Sequence, residues 1–496
     1  MANPRYPLLY QVNTRVWLKQ LSLSLGKAAT LADIPDRVLD DWQVKGFDWI
    51  YLLGVWQTGT ASVEVSRSHP EWCRDYQNLL PNLQPSDIAG SGFAITDYRV
   101  NEALGGNVAL TALRERLHQR GLQLMLDFVP NHTALDHPWV QTHPEFYVQG
   151  TVADLGRQPQ NYGPVTVGDQ TLIFAYGRDP YFPGWPDTWQ LNYGNPDVPA
   201  AMFQELWRIA DICDGIRCDM AMLLLPEIFE RTWGIASEPF WPGVIAAVKA
   251  KFPQFVFMAE VYWDLEGLLQ QQGFDYTYDK KFYDHLRQGY MFSVREHLQA
   301  DVTFQSHLVR FLENHDEPRA AAMFAPATHE AAAILTFLSP GLRFFHQGQL
   351  EGWQQKISVH LCRGPLQETD FKLQEFYTRL LHCLRHPLVR EGSWQLLDCY
   401  PAWSDNWTYH HWLAFTWHGV DDQRWIAVVN YSDQTSQCYV RLPWPDIQGK
   451  TFWLDDLMSS TYYQRTGDSL LSPGLYLDAP GWAYHVFELT EVLMGG

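Results

Sequence analysis

Four short apolar runs in this chain lead into groups able to transfer protons or attack as nucleophiles. Leu122–Val129 carries Asp127-Phe128-Val129-Pro130-Asn131-His132, and Gly215-Ile216-Arg217-Cys218 leads into Asp219. Met258-Ala259 precedes Glu260, and Leu308–Leu312 leads into Glu313-Asn314-His315-Asp316. Carboxylates and imidazoles are the usual general acids, bases and nucleophiles. Any one of these groups alone is more often a cap, a turn or an ion pair, but four at successive positions are hard to attribute to structure. Arg217 lies two residues before Asp219, hence on the same side of a strand, where its charge favours the ionised carboxylate. Glu260 stands between Met258-Ala259 and Val261, apolar surroundings that raise its pKa and let it keep a proton.

The elements that must position these groups are buried parallel strands. The runs are Leu9–Val12, Trp49–Gly54, Leu122–Val129, Gly215–Asp219, Val256–Val261, Leu308–Leu312 and Leu342–Phe345, with a weaker one at Phe274–Tyr278. Helix-length amphipathic stretches such as Ala109–Arg120, Ala200–Ile212, Phe240–Lys251 and Glu330–Leu338 separate most of them. Eight strands alternating with helices predict an α/β fold, a closed (β/α)8 TIM barrel whose strand ends converge on one pocket. An open doubly wound sheet is the alternative on pattern alone. The connection from Val129 to Gly215 exceeds a loop and a helix, and residues 133–190 read as an inserted domain over the barrel mouth. Residues 1–132 and 191–390 would form the barrel. From about Glu391 the runs His410–Trp417, Arg424–Asn430, Ser436–Leu442, Thr451–Leu454 and Trp482–Leu489 predict a C-terminal all-β sandwich over 391–496.

The net charge of −20, from 36 basic and 56 acidic residues, argues against a nucleic-acid or anionic-membrane surface and suits a neutral polyol. An aromatic share of 15% suits stacking on sugar rings, although large mixed folds also bury aromatics. The apolar runs are too short and interrupted to span a bilayer. Seven scattered cysteines without metal-like spacing read as buried reduced thiols, and the start of the chain carries no secretory signal pattern. Both point to the cytoplasm. Nothing in the sequence addresses oligomeric state.

In order and separation, the four segments resemble the signature regions of the α-amylase family of glycoside hydrolases. Gly92-Phe93-Ala94-Ile95-Thr96-Asp97-Tyr98, Gln190-Leu191-Asn192-Tyr193 and the segment from Pro340 to Gln349 are similar to further family segments, so the resemblance covers essentially the whole chain. It implies a retaining enzyme with Asp219 as nucleophile, Glu260 as general acid/base and Asp316 as the third acidic residue. Retention requires two carboxyl groups about 5–5.5 Å apart. The resemblance further implies that His132, His315 and Arg319 contact the sugar in the −1 subsite, that Asp127 orients Arg217, and that Phe93 stacks beneath the ring with Tyr98 as alternative. The implied substrate is a malto-oligosaccharide or related α-glucan.

The sequence also departs from the family. Met222-Leu223 occupies the positions where many amylases carry Lys-His toward the leaving-group sugars. Ala94 cannot cap a non-reducing sugar as an Asp there would. The cluster Tyr176–Asp187 suggests substrate contacts from the inserted segment. No cofactor is required. Asn131 could serve calcium, but the 6–8 or so oxygens that ion needs cannot be assembled, so the balance lies against it. Hydrolysis is the leading expectation. A transglycosylase, isomerase or phosphorylase would use the same intermediate, and a non-catalytic sugar- or protein-binding barrel would be expected to have lost one of the three carboxylates.

Overall fold

In the computed structural model, which describes residues 4–492, the eight predicted strands close into one parallel barrel. They are β1 (Leu8–Asn13), β2 (Trp49–Leu53), β3 (Gln123–Phe128), β4 (Gly215–Cys218), β5 (Val256–Ala259), β6 (Tyr276–Tyr278), β7 (Leu308–Arg310) and β8 (Leu342–His346). Neighbours in sequence are neighbours in the barrel, and β8 pairs with β1 through Leu8 and Arg343. Nearly every strand residue is buried, which explains the unbroken apolar runs: helices cover the outside and side chains fill the inside. The helix Gly106–His118 shows the matching pattern, burying Ala109, Leu110, Leu113 and Leu117 on one face.

Register places the chemistry. Arg217 lies level with Asp127 on β3 and with Met258 on β5, so Asp219 and Glu260 both emerge two residues further up. The amide of Asp219 donates to Phe128 O at 2.8 Å and that of Glu260 to Cys218 O at 3.0 Å, extending the ladder to the two carboxylates. Gly54, just past β2, has φ +70°, and a Cβ there would lie 3.6 Å from Gly92 Cα. The left-handed turn aims its N–H at Asp127 Oδ2, 2.9 Å away.

Two excursions leave the barrel mouth. Between β2 and β3, the strand Trp56–Thr58 pairs with Ile95–Val100, and helices Thr60–Ser68 and Pro70–Leu79 lie between them. The sequence reading had no element here. Between β3 and β4, His132–Ala134 pairs with Thr188–Gln190 and a hairpin joins Tyr162–Val167 to Gln170–Ala175.

The C-terminal part has two antiparallel sheets, of six and three strands, around their own core of Trp412, Ile426, Cys438, Val440, Leu454 and Leu477. Leu413, Phe415 and Trp417 alternate to the other face and join the barrel's core. Burial on both sides explains why Trp412–His418 is mostly apolar, with Thr416 as its one polar buried residue. Trp417 Nε1 donates to Leu338 O at 2.9 Å and the Tyr431 hydroxyl to Leu286 O at 2.8 Å, so polar edges of aromatics also tie this sheet to the barrel. The seven cysteines are unpaired; Cys73 and Cys362 are only half-buried, unlike the other five.

Candidate active site

Arg217 is the hub of the barrel mouth. Its guanidinium is fully buried, with Nη1 2.6 Å from Asp219 Oδ1 and Nη2 2.8 Å from Glu260 Oε2. Asp127 and Asp316 lie just beyond, at 3.9 and 3.8 Å. Asp127 is itself fully buried and held by the Tyr51 hydroxyl and the Gly54 amide, so it supports the hub and does not face the cavity. This placement suits a residue that orients Arg217 and makes no contact with substrate.

Glu260 takes donors on both oxygens. Oε2 accepts from the Met220 amide at 2.7 Å and Oε1 from the Tyr262 hydroxyl at 2.8 Å. Met220 has φ +44°, a left-handed conformation uncommon for a residue with a Cβ, which turns its N–H toward Glu260. Burial pushes the carboxyl of Glu260 up to about 7, against the pull of Arg217. Burial also raises Asp219, to about 6, where Arg217 restrains the rise. Asp316 differs. Its place in the cleft opposes ionisation, but His315 at 2.9 Å, Arg217 and Lys356 hold it well below the ordinary range.

These groups line a cavity of about 310 Å³ with Phe93, His132 and His315. Phe93 stacks on the His315 ring at 5.3 Å and lies 5.3 Å from the Arg217 guanidinium, forming one wall. His315 Nδ1 is hydrogen-bonded to Gln11 Nε2 at 2.9 Å. Burial drives His132 down to about 3, so it is a neutral hydrogen-bonding ring at ordinary pH.

Two expected contacts are not brought here. The Tyr98 hydroxyl donates to Val129 O at 3.0 Å and accepts from Val129 N at 2.9 Å, and its ring packs edge-on against Trp56. It is a core residue fixing the end of β3. Arg319 pairs with buried Glu313 at 3.0 Å and donates to Gln347 O at 2.8 Å, behind His315. A buried carboxylate competes for its charge better than a neutral sugar would. Met222 and Leu223 are buried in a turn, and Met220 faces the cavity instead.

Sequence reasoning missed Trp72, Ser91, Thr188, Met220, Tyr262, Val359 and His360 in the cavity wall. Tyr262, two residues beyond Glu260 on the same strand direction, could have been found by spacing. Trp72 and His360 could not, because they arrive from excursions after β2 and β8. Trp185 and Asp187, inside the cluster singled out in the inserted segment, do line the cavity.

Asn131, the residue that could serve calcium, is already engaged by Gln190, Nδ2 to Oε1 at 3.1 Å and Oδ1 from Nε2 at 3.0 Å, and Gln190 also donates to Asn131 O at 2.9 Å. A side-chain N–H donor thus occupies the oxygens a cation would need. Among the described residues no group of three or more His, Cys, Asp or Glu is arranged to hold a metal.

The raised carboxyls make stability depend on pH. Where folding raises a carboxyl pKa, the folded state holds the proton longer, so its contribution is fully present below the unfolded value and is lost as pH rises through the folded one. Asp219 and Glu260, with Glu313 also pushed up to about 7 by burial, all act in this direction. These three groups alone lower the thermal midpoint between about pH 4 and pH 7, while buried His132, His329 and His360, held neutral with pKa values pushed down to about 3, 4 and 4, act in the opposite sense. Asp219→Asn with Glu260→Gln should make the slope of midpoint against pH less negative in a melting series, and an unchanged slope would count against burial as the cause.

The comparisons agree with this architecture. The family model described as alpha amylase, catalytic domain, matches residues 82–376, and the chain belongs to that family. It is 27% identical over 280 residues to the alpha-amylase MalA of Haloarcula japonica, covering 55% of this chain and 38% of that protein. It is 30% identical over 207 residues to the trehalose synthase/amylase TreS of Mycobacterium tuberculosis, covering 36% and 32%. The match thus spans less than half the length of either relative. The maltogenic alpha-amylase AmyB of Thermotoga neapolitana shares the fold with a TM-score of 0.69 at 15% identity, over 99% of both chains.

Proposed function

We propose that this protein is a retaining α-glycosidase acting on α-glucosidic bonds of malto-oligosaccharides or related α-glucans through a covalent glycosyl-enzyme. The observation that carries the reading is the pair Asp219 and Glu260 on the two ends of one buried guanidinium. Sharing it keeps the carboxylates close, on the scale of the retaining separation of about 5–5.5 Å. Asp219, restrained by Arg217, attacks the anomeric carbon while Glu260 gives its proton to the departing glycosidic oxygen. Glu260 Oε2 is occupied by the Met220 amide and Arg217, so the transferable proton belongs on Oε1 beside Tyr262. Glu260 then removes a proton from water, which releases the sugar from Asp219. Asp316, His132 and His315 hold the ring hydroxyls, and Phe93 packs against the ring.

Residues 133–190 serve in this proposal as the inserted domain flanking the substrate, with the barrel in 1–132 and 191–390 and the β domain in 391–496. A cytoplasmic location belongs to it too, supported by seven cysteines without a disulfide; among the described residues no helix is long and apolar enough to cross a membrane. A second reading, transfer to another acceptor in place of water, is favoured by the apolar Met220 and the Tyr262 ring at the leaving-group side. Product analysis with maltoheptaose, sucrose and trehalose, with and without phosphate, separates the two. Shorter maltodextrins alone support hydrolysis, whereas products longer than the substrate would replace it with transfer.

A further inference from the structure

Asp187 is a carboxylate in the same cavity that the proposed chemistry leaves unused. It is 3% exposed and lines the cavity beside Trp185 and Thr188. Its Oδ2 accepts from Ser62 Oγ at 2.9 Å, and Ser62 in turn accepts from the Ser91 amide at 3.0 Å. Its own backbone amide and, at longer range, His69 add a little support. A carboxylate offers about four acceptor positions, and leaving them unfilled in a buried place is costly. Burial pushes Asp187 up to about 6, which still leaves it mostly ionised near neutrality.

Its position assigns it an end of the cavity. Met220 and Tyr262 follow β4 and β5 and mark the side of Glu260, where the leaving group departs. Asp187 is joined through Ser62 to the segment after β2, and it lines the cavity with Trp72 and Ser91 from that segment and His360 from the segment after β8. That end is walled. One face of Trp72 is stacked by His69 at 4.3 Å and 22°, and His360 packs on it at 4.4 Å. His360 is fixed by Ser66 Oγ at 2.8 Å and by the Ala89 amide on its carbonyl at 2.8 Å. With imidazoles already packed against it, Trp72 serves as a partition more than as a stacking platform for a passing sugar.

We propose that Asp187 recognises the non-reducing terminal sugar of the glucan, accepting a hydrogen bond from the free 4-hydroxyl that an interior α-1,4-linked sugar lacks, and so makes the site act from chain ends. The inference rests on the glycosidase reading above. Its rival is a chain running past the partition into the adjoining cavity of about 640 Å³, which shares Trp72, His315, Asp316, Val359 and His360.

The test compares 4-nitrophenyl α-maltoheptaoside with the same compound blocked at its terminal 4- and 6-hydroxyls by an ethylidene group, with products followed by chromatography. The wild-type protein should process the free-ended compound at least ~10-fold faster. Asp187→Ala should lower kcat/KM for the free-ended compound about 10–100-fold, chiefly through KM, and narrow the gap between the two. Equal processing of both compounds by the wild type overturns the proposal and leaves the glycosidase reading intact. Processing of neither overturns that reading and this proposal with it. A loss in Asp187→Ala that is equal for both compounds reduces Asp187 to a structural support and also overturns the proposal. The wild-type comparison stands even if the variant fails to fold.

Discussion

Asp219→Asn is expected to lower kcat by at least ~10⁴-fold while leaving the fold intact. An amide of the same size can still accept from Arg217 Nη1, now 2.6 Å from the carboxylate, so packing around the buried guanidinium persists. It cannot attack the anomeric carbon. The substitution also removes one of the charges that raise the pKa of Glu260. Near pH 8 the variant should therefore melt no lower than the parent, because one raised carboxyl no longer has to ionise in a buried place. Single-turnover assays and melts on the same sample separate lost chemistry from lost structure. Turnover within tenfold of the parent would move the nucleophile elsewhere, with Asp316 the next candidate.

Glu260→Gln is expected to cost about 10²–10⁴-fold on α-glucans, whose departing oxygen needs a proton. The loss should shrink sharply on α-glucosyl fluoride, because fluoride leaves without protonation. The pH profile supplies the sign. Burial raises Glu260 to about 7, so the protonated acid is depleted above that pH and the parent's rate should decline there. In Glu260→Gln with the fluoride donor, that alkaline decline should vanish. An equal loss on both donors would show that Glu260 positions substrate and does not transfer a proton.

The barrel was legible because its strands are buried on both faces and therefore stand out as apolar runs. Even so, the run ending at Leu312 overshot the strand. Beyond Arg310 the backbone turns, with Asn314 Oδ1 accepting from the amides of Asp316 and Glu317 at 2.8 and 2.9 Å. A polar side chain competing for backbone donors ends a strand without any change in hydropathy. The structure gathers the three carboxylates, His132, His315 and Phe93 at one cavity, with Arg217 buried beneath Asp219 and Glu260, because most of these residues follow strand ends. Tyr98 and Arg319 misled because an aromatic or an arginine near a motif reads the same whether it faces substrate or core. The helices Thr60–Ser68 and Pro70–Leu79 escaped notice, as did the short C-terminal strands Cys399–Tyr400 and Leu475–Ala479. Their polar faces and brevity leave no clear period to read.

The guanidinium of Arg217 contacts two carboxylates and stands 3.8 Å from a third, and kinetics will register that arrangement as a collective titration. A proton leaving any member alters the field at the others. The positions of the two limbs of a pH–rate curve then belong to the set, as macroscopic constants, even though Glu260 carries the proton that the alkaline limb reports. Substituting Asp316, whose charge also raises Glu260, should displace the alkaline limb to lower pH without touching Glu260. Mutational shifts in pH optimum here measure shared charge, and proton ownership will have to be read from donors that bypass it.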